Sequence, residues 1–240
     1  SKDGYTWEKP NLGLVEWRGS RNNSLIKLGE RYNGPVAVVL APPEARAGAR
    51  FVCCYLDKPG VCIALSDDGV NWRDSRVIEK HHSDTHNCIN WDAVRRRWLV
   101  SLRQPLYAYW TNRRMALMES TDLVNWTRPE VSLAPDEQDY PEFYGMPVFQ
   151  RGHLLFGLLQ IYNRPAGSIE NELVFSTDGR KWERVPPRET FLTRGPAGSF
   201  DAGMTFASSA PVIVQDEMRF YYGAIRTDHN QITADDEANS

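Results

Sequence analysis

The chain has 240 residues, 41% hydrophobic and 25% charged, which is enough apolar material for a full-sized core and excludes a disordered or fibrous chain. With 28 Lys and Arg against 31 Asp and Glu the formal charge is −3, lacking the basic excess that nucleic-acid binding usually needs. No apolar run approaches the ~20 residues that span a bilayer, so a soluble protein with neither nucleic-acid nor membrane partners is expected.

The chain opens on Ser1-Lys2-Asp3-Gly4-Tyr5-Thr6-Trp7, a phrase that returns as Ser66-Asp67-Asp68-Gly69-Val70-Asn71-Trp72. It comes back as Ser120-Thr121-Asp122-Leu123-Val124-Asn125-Trp126 and as Ser176-Thr177-Asp178-Gly179-Arg180-Lys181-Trp182. The pattern SxDGxxW predicts a tight turn in which Asp bonds nearby backbone and Gly accepts positive φ. Short apolar runs precede three of the turns, at 61–65, 115–118 and 173–175, and read as strands. Hairpins are predicted from 36–40 with 51–56, 88–91 with 98–103, 146–149 with 154–162 and 211–214 with 218–225. Helical periodicity is sustained nowhere. Cys53, Cys54, Cys62 and Cys88 form no CxxC pair and read as buried small hydrophobes, and two glycosylation sequons, at Asn22 and Asn125, decide nothing.

The phrases start 65, 54 and 56 residues apart, too far for a helical solenoid and suited to a four-stranded unit with loops. An all-β fold is therefore expected, a single β-propeller domain over residues 1–240. Its blades run over approximately 30–75, 84–129, 140–185 and 199–240, the last completed by residues 1–10. The four phased tryptophans are mortar between sheets rather than ligand contacts. The opening phrase looks like the middle of an element, so the chain is expected to be a fragment with one blade missing or incomplete.

In a propeller the connection entering each first strand lies at one mouth of the axial channel, so residues at equal phase after each Trp converge there. Twelve to nineteen residues beyond the tryptophans stand Asn22 and Asn23, then Asp84, His86 and Asn87, then Asp139 and Glu142, and finally Asp201. Carboxylates gathered around a polar channel suit glycosidic bond cleavage, in which one carboxyl donates a proton while another stays ionised. Glu142 is the expected acid. Asp84 and Asp201 are candidates for base, nucleophile or the neighbour that tunes Glu142. Asn23, His86, Asn87, Trp91, Tyr144, Asp228 and His229 are candidates for holding the sugar. The run His81-His82-Ser83-Asp84-Thr85-His86 invites a metal reading, but no complementary ligand pair follows it. No catalytic metal and no cofactor are expected, a structural calcium ion aside.

Several segments taken together resemble a known group. They are Lys9-Pro10-Asn11-Leu12-Gly13 after the first phrase, then HNCINWD at 86–92, YGMPVF at 144–149, GSFDAGM at 198–204 and RFYYGA at 219–224. In this order they resemble the five-bladed propeller glycosidases of the invertase-like and arabinanase-like families 32 and 43, in particular a bacterial glycosyl-hydrolase-like group. The resemblance implies a funnel-shaped site on the axis, three acidic residues from different blades and attack on furanosides or related sugars. The invertase signatures WMNDPNG, RDP and EC are absent, and no Asp stands at the Asn22–Asn23 phase, so a catalytic Asp would be missing with a preceding blade. The phrase differs from the sialidase Asp box in its spacing, and no arginine triad stands out. The alternative to a hydrolase is a carbohydrate-binding propeller or a catalytically incomplete homologue.

Overall fold

The computed structural model describes residues 1–28, 33–81, 83–84, 86–104, 113–140, 142–208 and 210–231, with the side chains of 33–35 left aside. Residues 232–240 of the last expected blade lie outside the described residues, as do 30–32 of the first. Apart from one 3-10 turn at Pro43–Ala45, every regular element among the described residues is a strand.

The strands β1 (Asn33–Leu40), β2 (Phe51–Asp57), β3 (Gly60–Ser66) and β4 (Trp72–Glu79) form one antiparallel sheet in sequence order. A second repeats the plan with β5 (Cys88–Asp92), β6 (Arg97–Arg103), β7 (Met115–Ser120) and β8 (Glu130–Leu133). In the third, the first position is divided between β9 (Glu142–Gly145) and β10 (Val148–Arg151), both paired with β11 (Leu154–Asn163). Next comes β12 (Ser168–Ser176), whose outer edge carries the short β13 (Glu183–Arg184) and β14 (Thr190–Leu192). Beyond it lie β15 (Met204–Ala207), the hairpin of β16 (Val212–Val214) and β17 (Glu217–Arg219), and β18 (Tyr222–Ile225), which returns to β15. One hairpin over 211–225 was expected; instead 222–225 pairs with 204–207, a strand too short and too mixed to stand out in sequence.

Strand alternation explains how the sheets hold together, because successive side chains point to opposite faces. In β6, Trp98, Val100 and Leu102 join a core shared with the first sheet, through Leu56, Ile63 and Leu65, while Leu99 joins Phe143, Leu155 and Val174 of the third. The apolar core is thus a series of slabs between successive sheets. Two of the four phased tryptophans serve as expected, Trp182 in the slab between the second and third sheets and Trp126 against that between the first and second, whereas Trp72 packs on Cys53 and Tyr55 of its own sheet and Trp7 is 64% exposed. The four cysteines are buried and unbridged, and burial pushes the Cys53 and Cys88 thiols up to about 12, where they are poor nucleophiles.

The four phrases fold alike. In each, the Ser hydroxyl accepts from the amide three residues on, at 2.8 Å in Gly4, 2.9 Å in Gly69, 2.9 Å in Leu123 and 2.8 Å in Gly179. The Asp carboxylate accepts from the next two amides, which holds Asp68 and Asp122 well below the ordinary aspartate value. The fourth residue has φ of +77° in Gly69 and +62° in Leu123, where the one non-glycine copy is buried in the core. Gly69→Ala has room beside Phe51 and is expected to cost about 1–2 kcal/mol in urea titration, from backbone strain alone. Gly179→Ala should cost more, because its Cβ would meet Leu155 Cδ1 at 3.0 Å and Arg97 Nη2 at 2.9 Å.

The opening phrase packs against the C-terminal strands. Arg219 Nη1 donates to the Asp3 carbonyl at 2.6 Å, Tyr221 donates to the Gly4 carbonyl at 3.1 Å, and Trp7 meets Tyr221 edge-on with ring centroids 5.6 Å apart.

Candidate active site

The site is assembled where connections enter the first strands. Between β4 and β5 the chain turns through two left-handed residues, Asp84 (φ +62°) and His86 (φ +64°). Asn87 braces this turn: its side chain is buried, accepts from Ser83 Oγ and donates to the Asp84 carbonyl at 3.2 Å. Asp84 points to Arg103 at the end of β6, whose side chain is 0% exposed. Arg103 also donates from Nε to the Tyr144 carbonyl at 3.0 Å and lies over the Tyr144 ring, 4.3 Å from its centroid. A buried guanidinium with fixed partners is a rigid anchor for a carboxylate.

Glu142 begins β9, opposite Tyr162 of β11. Its carboxylate is 10% exposed and pairs with two arginines, Arg113 at 3.1 Å and Arg164 at 2.8 Å. Arg113 is placed by its own carbonyl, which accepts from the Phe143 amide at 3.1 Å, and its guanidinium lies 5.5 Å from the Tyr144 ring and 5.7 Å from that of Tyr162. The loop after β18 closes the group: the His229 amide bonds the Gly167 carbonyl at 2.7 Å, and Tyr144 Oη and His229 Nε2 stand 3.0 Å apart. His86 stacks on Phe206 of β15 at 4.9 Å and meets Tyr144 edge-on at 5.6 Å. Two carboxylates from different sheets therefore border one aromatic box of Tyr144, Tyr162, Phe206 and two imidazoles.

Both imidazoles are held neutral. Burial, then the charge on Arg103, pulls His86 down to about 3, with Asp84 opposing; burial, then Arg113 and Arg103, lowers His229. For His86 the folded value lies below the unfolded 6.5, so the unfolded chain takes the proton first. Stability is then complete above pH 6.5 and falls by at most about 1.4 kcal/mol per pH unit on the way down toward 3. Urea midpoints measured between pH 7 and pH 5 are expected to decline, and the decline should be shallower in His86→Gln.

The chain shares its fold with proteins of known structure. It is similar in structure to a β-1,2-mannobiose phosphorylase from Listeria innocua, at 15% identity and a TM-score of 0.51, with 69% of this chain and 45% of that one covered. It is likewise similar to a sucrose-6-phosphate hydrolase from Lactobacillus gasseri, at 12% identity and a TM-score of 0.52, covering 72% and 37%. The fold is that of the propeller-type glycoside hydrolases. The chain spans less than half the length of either protein. No protein-family model matches it, and no curated protein does.

Of the residues expected at the mouth, Asp84, His86, Glu142, Tyr144 and His229 come together. Asp201 precedes β15 at the equivalent place in the topology, yet its bonds run to Ser199 Oγ at 2.6 Å and Tyr222 Oη at 3.1 Å, which lower it as a carboxylate. Among the described residues it makes no hydrogen bond or ion pair with the Asp84–Glu142 group. Asp139, at the phase of Glu142, is bound by Arg184 with two 2.9 Å contacts, and Arg184 also holds Glu172. Trp91 packs on Trp98 beside the core slab of the first two sheets, not in the box. Asn23 braces the N-terminal segment by donating to the Val15 carbonyl at 2.9 Å. Asp228 caps its own loop, accepting from the Asn230 amide at 2.9 Å. His82 and Thr85 of the histidine-rich run lie outside the described residues, and among those described no group of three His, Cys, Asp or Glu is arranged to hold a metal.

Sequence reasoning missed the arginines. No triad stood out, yet Arg103, Arg113 and Arg164 meet the two carboxylates from three places with no common phase. Gln160 was also missed; its Nε2 is 3.4 Å from His86 Nδ1. For Arg103 and Arg164 the signal available was only a charged residue at, or just past, the end of a strongly apolar strand.

Proposed function

We propose that this chain carries the sugar-cleaving face of a glycosidase of the five-bladed propeller type, with Asp84 and Glu142 flanking the scissile bond. The observation that carries this reading is their convergence on the Tyr144 box from separate strand-entry connections. Asp84, held by the wholly buried Arg103, is the base or nucleophile. Glu142 is the proton donor: Arg164 is 62% exposed and free to swing away, so a sugar oxygen can take its place beside the carboxyl. The contacts of Arg219 and Tyr221 with residues 3 and 4 support counting residues 1–10 with the last blade. Hydrolysis across a panel of aryl glycosides, pyranoside and furanoside, tests the proposal: the wild-type chain should release phenol from at least one, and Asp84→Asn and Glu142→Gln should not.

One observation favours a second reading, a carbohydrate-binding propeller or catalytically incomplete homologue. Both carboxylates are ion-paired, and Asp201 is engaged with Ser199 and Tyr222. That version predicts glycan binding by calorimetry that survives in the double variant Asp84→Asn, Glu142→Gln, with no hydrolysis by the wild type.

A further inference from the structure

Among the described residues, four buried side-chain polar atoms at this site lack a hydrogen-bond partner. Arg103 Nη2 has none, although its side chain is fully enclosed. Arg113 Nη1 and Glu142 Oε2 face each other at 3.1 Å without forming a hydrogen bond, and Gln160 Oε1 is also left without one. Two of these four are guanidinium nitrogens, and both guanidinium groups lie near one tyrosine, that of Arg103 at 4.3 Å and that of Arg113 at 5.5 Å from the Tyr144 centroid. A buried N–H donor on a cation is complemented best by an anionic oxygen, since charge-assisted bonds are shorter and stronger than neutral ones.

The local charge points the same way. Among the described residues the group contains three arginines against two carboxylates, a surplus of one positive charge in a chain whose net charge is −3. The two imidazoles add nothing to neutralise it, and their depressed proton affinity reflects the arginines' field as well as burial. A neutral sugar would satisfy the Gln160 acceptor through a hydroxyl but would leave the surplus charge unanswered.

We propose that Arg103 and Arg113, with Arg164 at the rim, form an oxyanion subsite, which takes a phosphoryl or carboxylate group borne by the sugar or a free phosphate ion. The sugar-borne form rests on the carbohydrate reading above; the oxyanion subsite itself rests on the arginines and does not need hydrolysis. Calorimetry on the whole chain at low salt, with inorganic phosphate, glucose 6-phosphate, glucuronate and glucose as probes, tests it. At least one anionic probe should bind about tenfold or more tightly than glucose, and that advantage should shrink at about 0.5 M salt. Arg113→Gln should cut the anion affinity about tenfold, and Arg164→Gln should cut it less. Both avoid the fully enclosed Arg103, whose replacement endangers folding. Tighter binding of glucose 6-phosphate or glucuronate than of phosphate assigns the group to the sugar; phosphate binding as tight as glucose 6-phosphate assigns it to the free ion. Equal affinity for glucose and every anionic probe, or anion binding unchanged in Arg113→Gln, overturns the inference. Anion binding without hydrolysis of any glycoside overturns the glycosidase reading alone, and hydrolysis of neutral glycosides with no anion preference overturns this one alone.

Discussion

Glu142→Gln is expected to lower kcat/KM on any hydrolysed glycoside by about 10²–10⁴-fold, the range supplied by a positioned proton donor. The amide keeps the shape of the side chain, but it can neither give nor take a proton. The pH profile separates chemistry from structure: loss of a proton donor removes the limb at higher pH, whereas a purely structural defect lowers the whole curve without changing its form. Some stability should go as well. The glutamine leaves Arg113, whose Nη1 is buried, beside a neutral partner, a penalty of about 1–3 kcal/mol. Arg164, mostly exposed, can turn to water. Activity within threefold of wild type in a folded Glu142→Gln chain would remove Glu142 from the reaction.

Trp98→Ala is expected to destabilise the chain by about 3–5 kcal/mol, the usual cost of emptying an enclosed aromatic site. Trp98 is 1% exposed, sits in β6 opposite Trp91 of β5, and has its ring centroid 5.3 Å from that of Trp91. It lies in the slab that joins the first two sheets, so its removal opens a cavity between sheets rather than at an edge. The urea midpoint should fall sharply, while Trp126→Ala, whose side chain is only partly buried against the same slab, should move it less. Equal losses in the two variants would mean that the slab relaxes around Trp98. Binding at the carboxylates should persist in whatever fraction of Trp98→Ala remains folded, since Arg103 is held by Asp84 and Tyr144 rather than by that ring.

The two substitutions act on structures that differ in how far they were legible beforehand. The turns were legible in detail, because Ser, Asp and Gly at fixed offsets bond to amides two and three residues away, and such bonds need nothing from the rest of the chain. Leu123 is instructive: it stands where glycine belongs, with the same positive φ, and packing in the core holds it there. Equal phase after the tryptophans points to Asp84 and Glu142, which stand where a first strand begins in the second and third sheets. It could not separate Glu142 from Asp139, three residues earlier, because only the fold shows Arg184 binding the latter.

By itself, then, the sequence determined the all-β character, the repeated turn, the place of most strands and the stretches from which site residues would come. These follow from local bonding and from alternation along a strand. Tertiary structure alone decided which carboxylates share an environment, that three arginines answer them, that Trp91 and Asn87 support the fold, and that residues 1–7 pack on the C-terminal strands. A charge–charge or ring–ring contact depends on distance through space, and residues 103, 113, 142, 164 and 229 acquire theirs only when successive sheets are packed face to face.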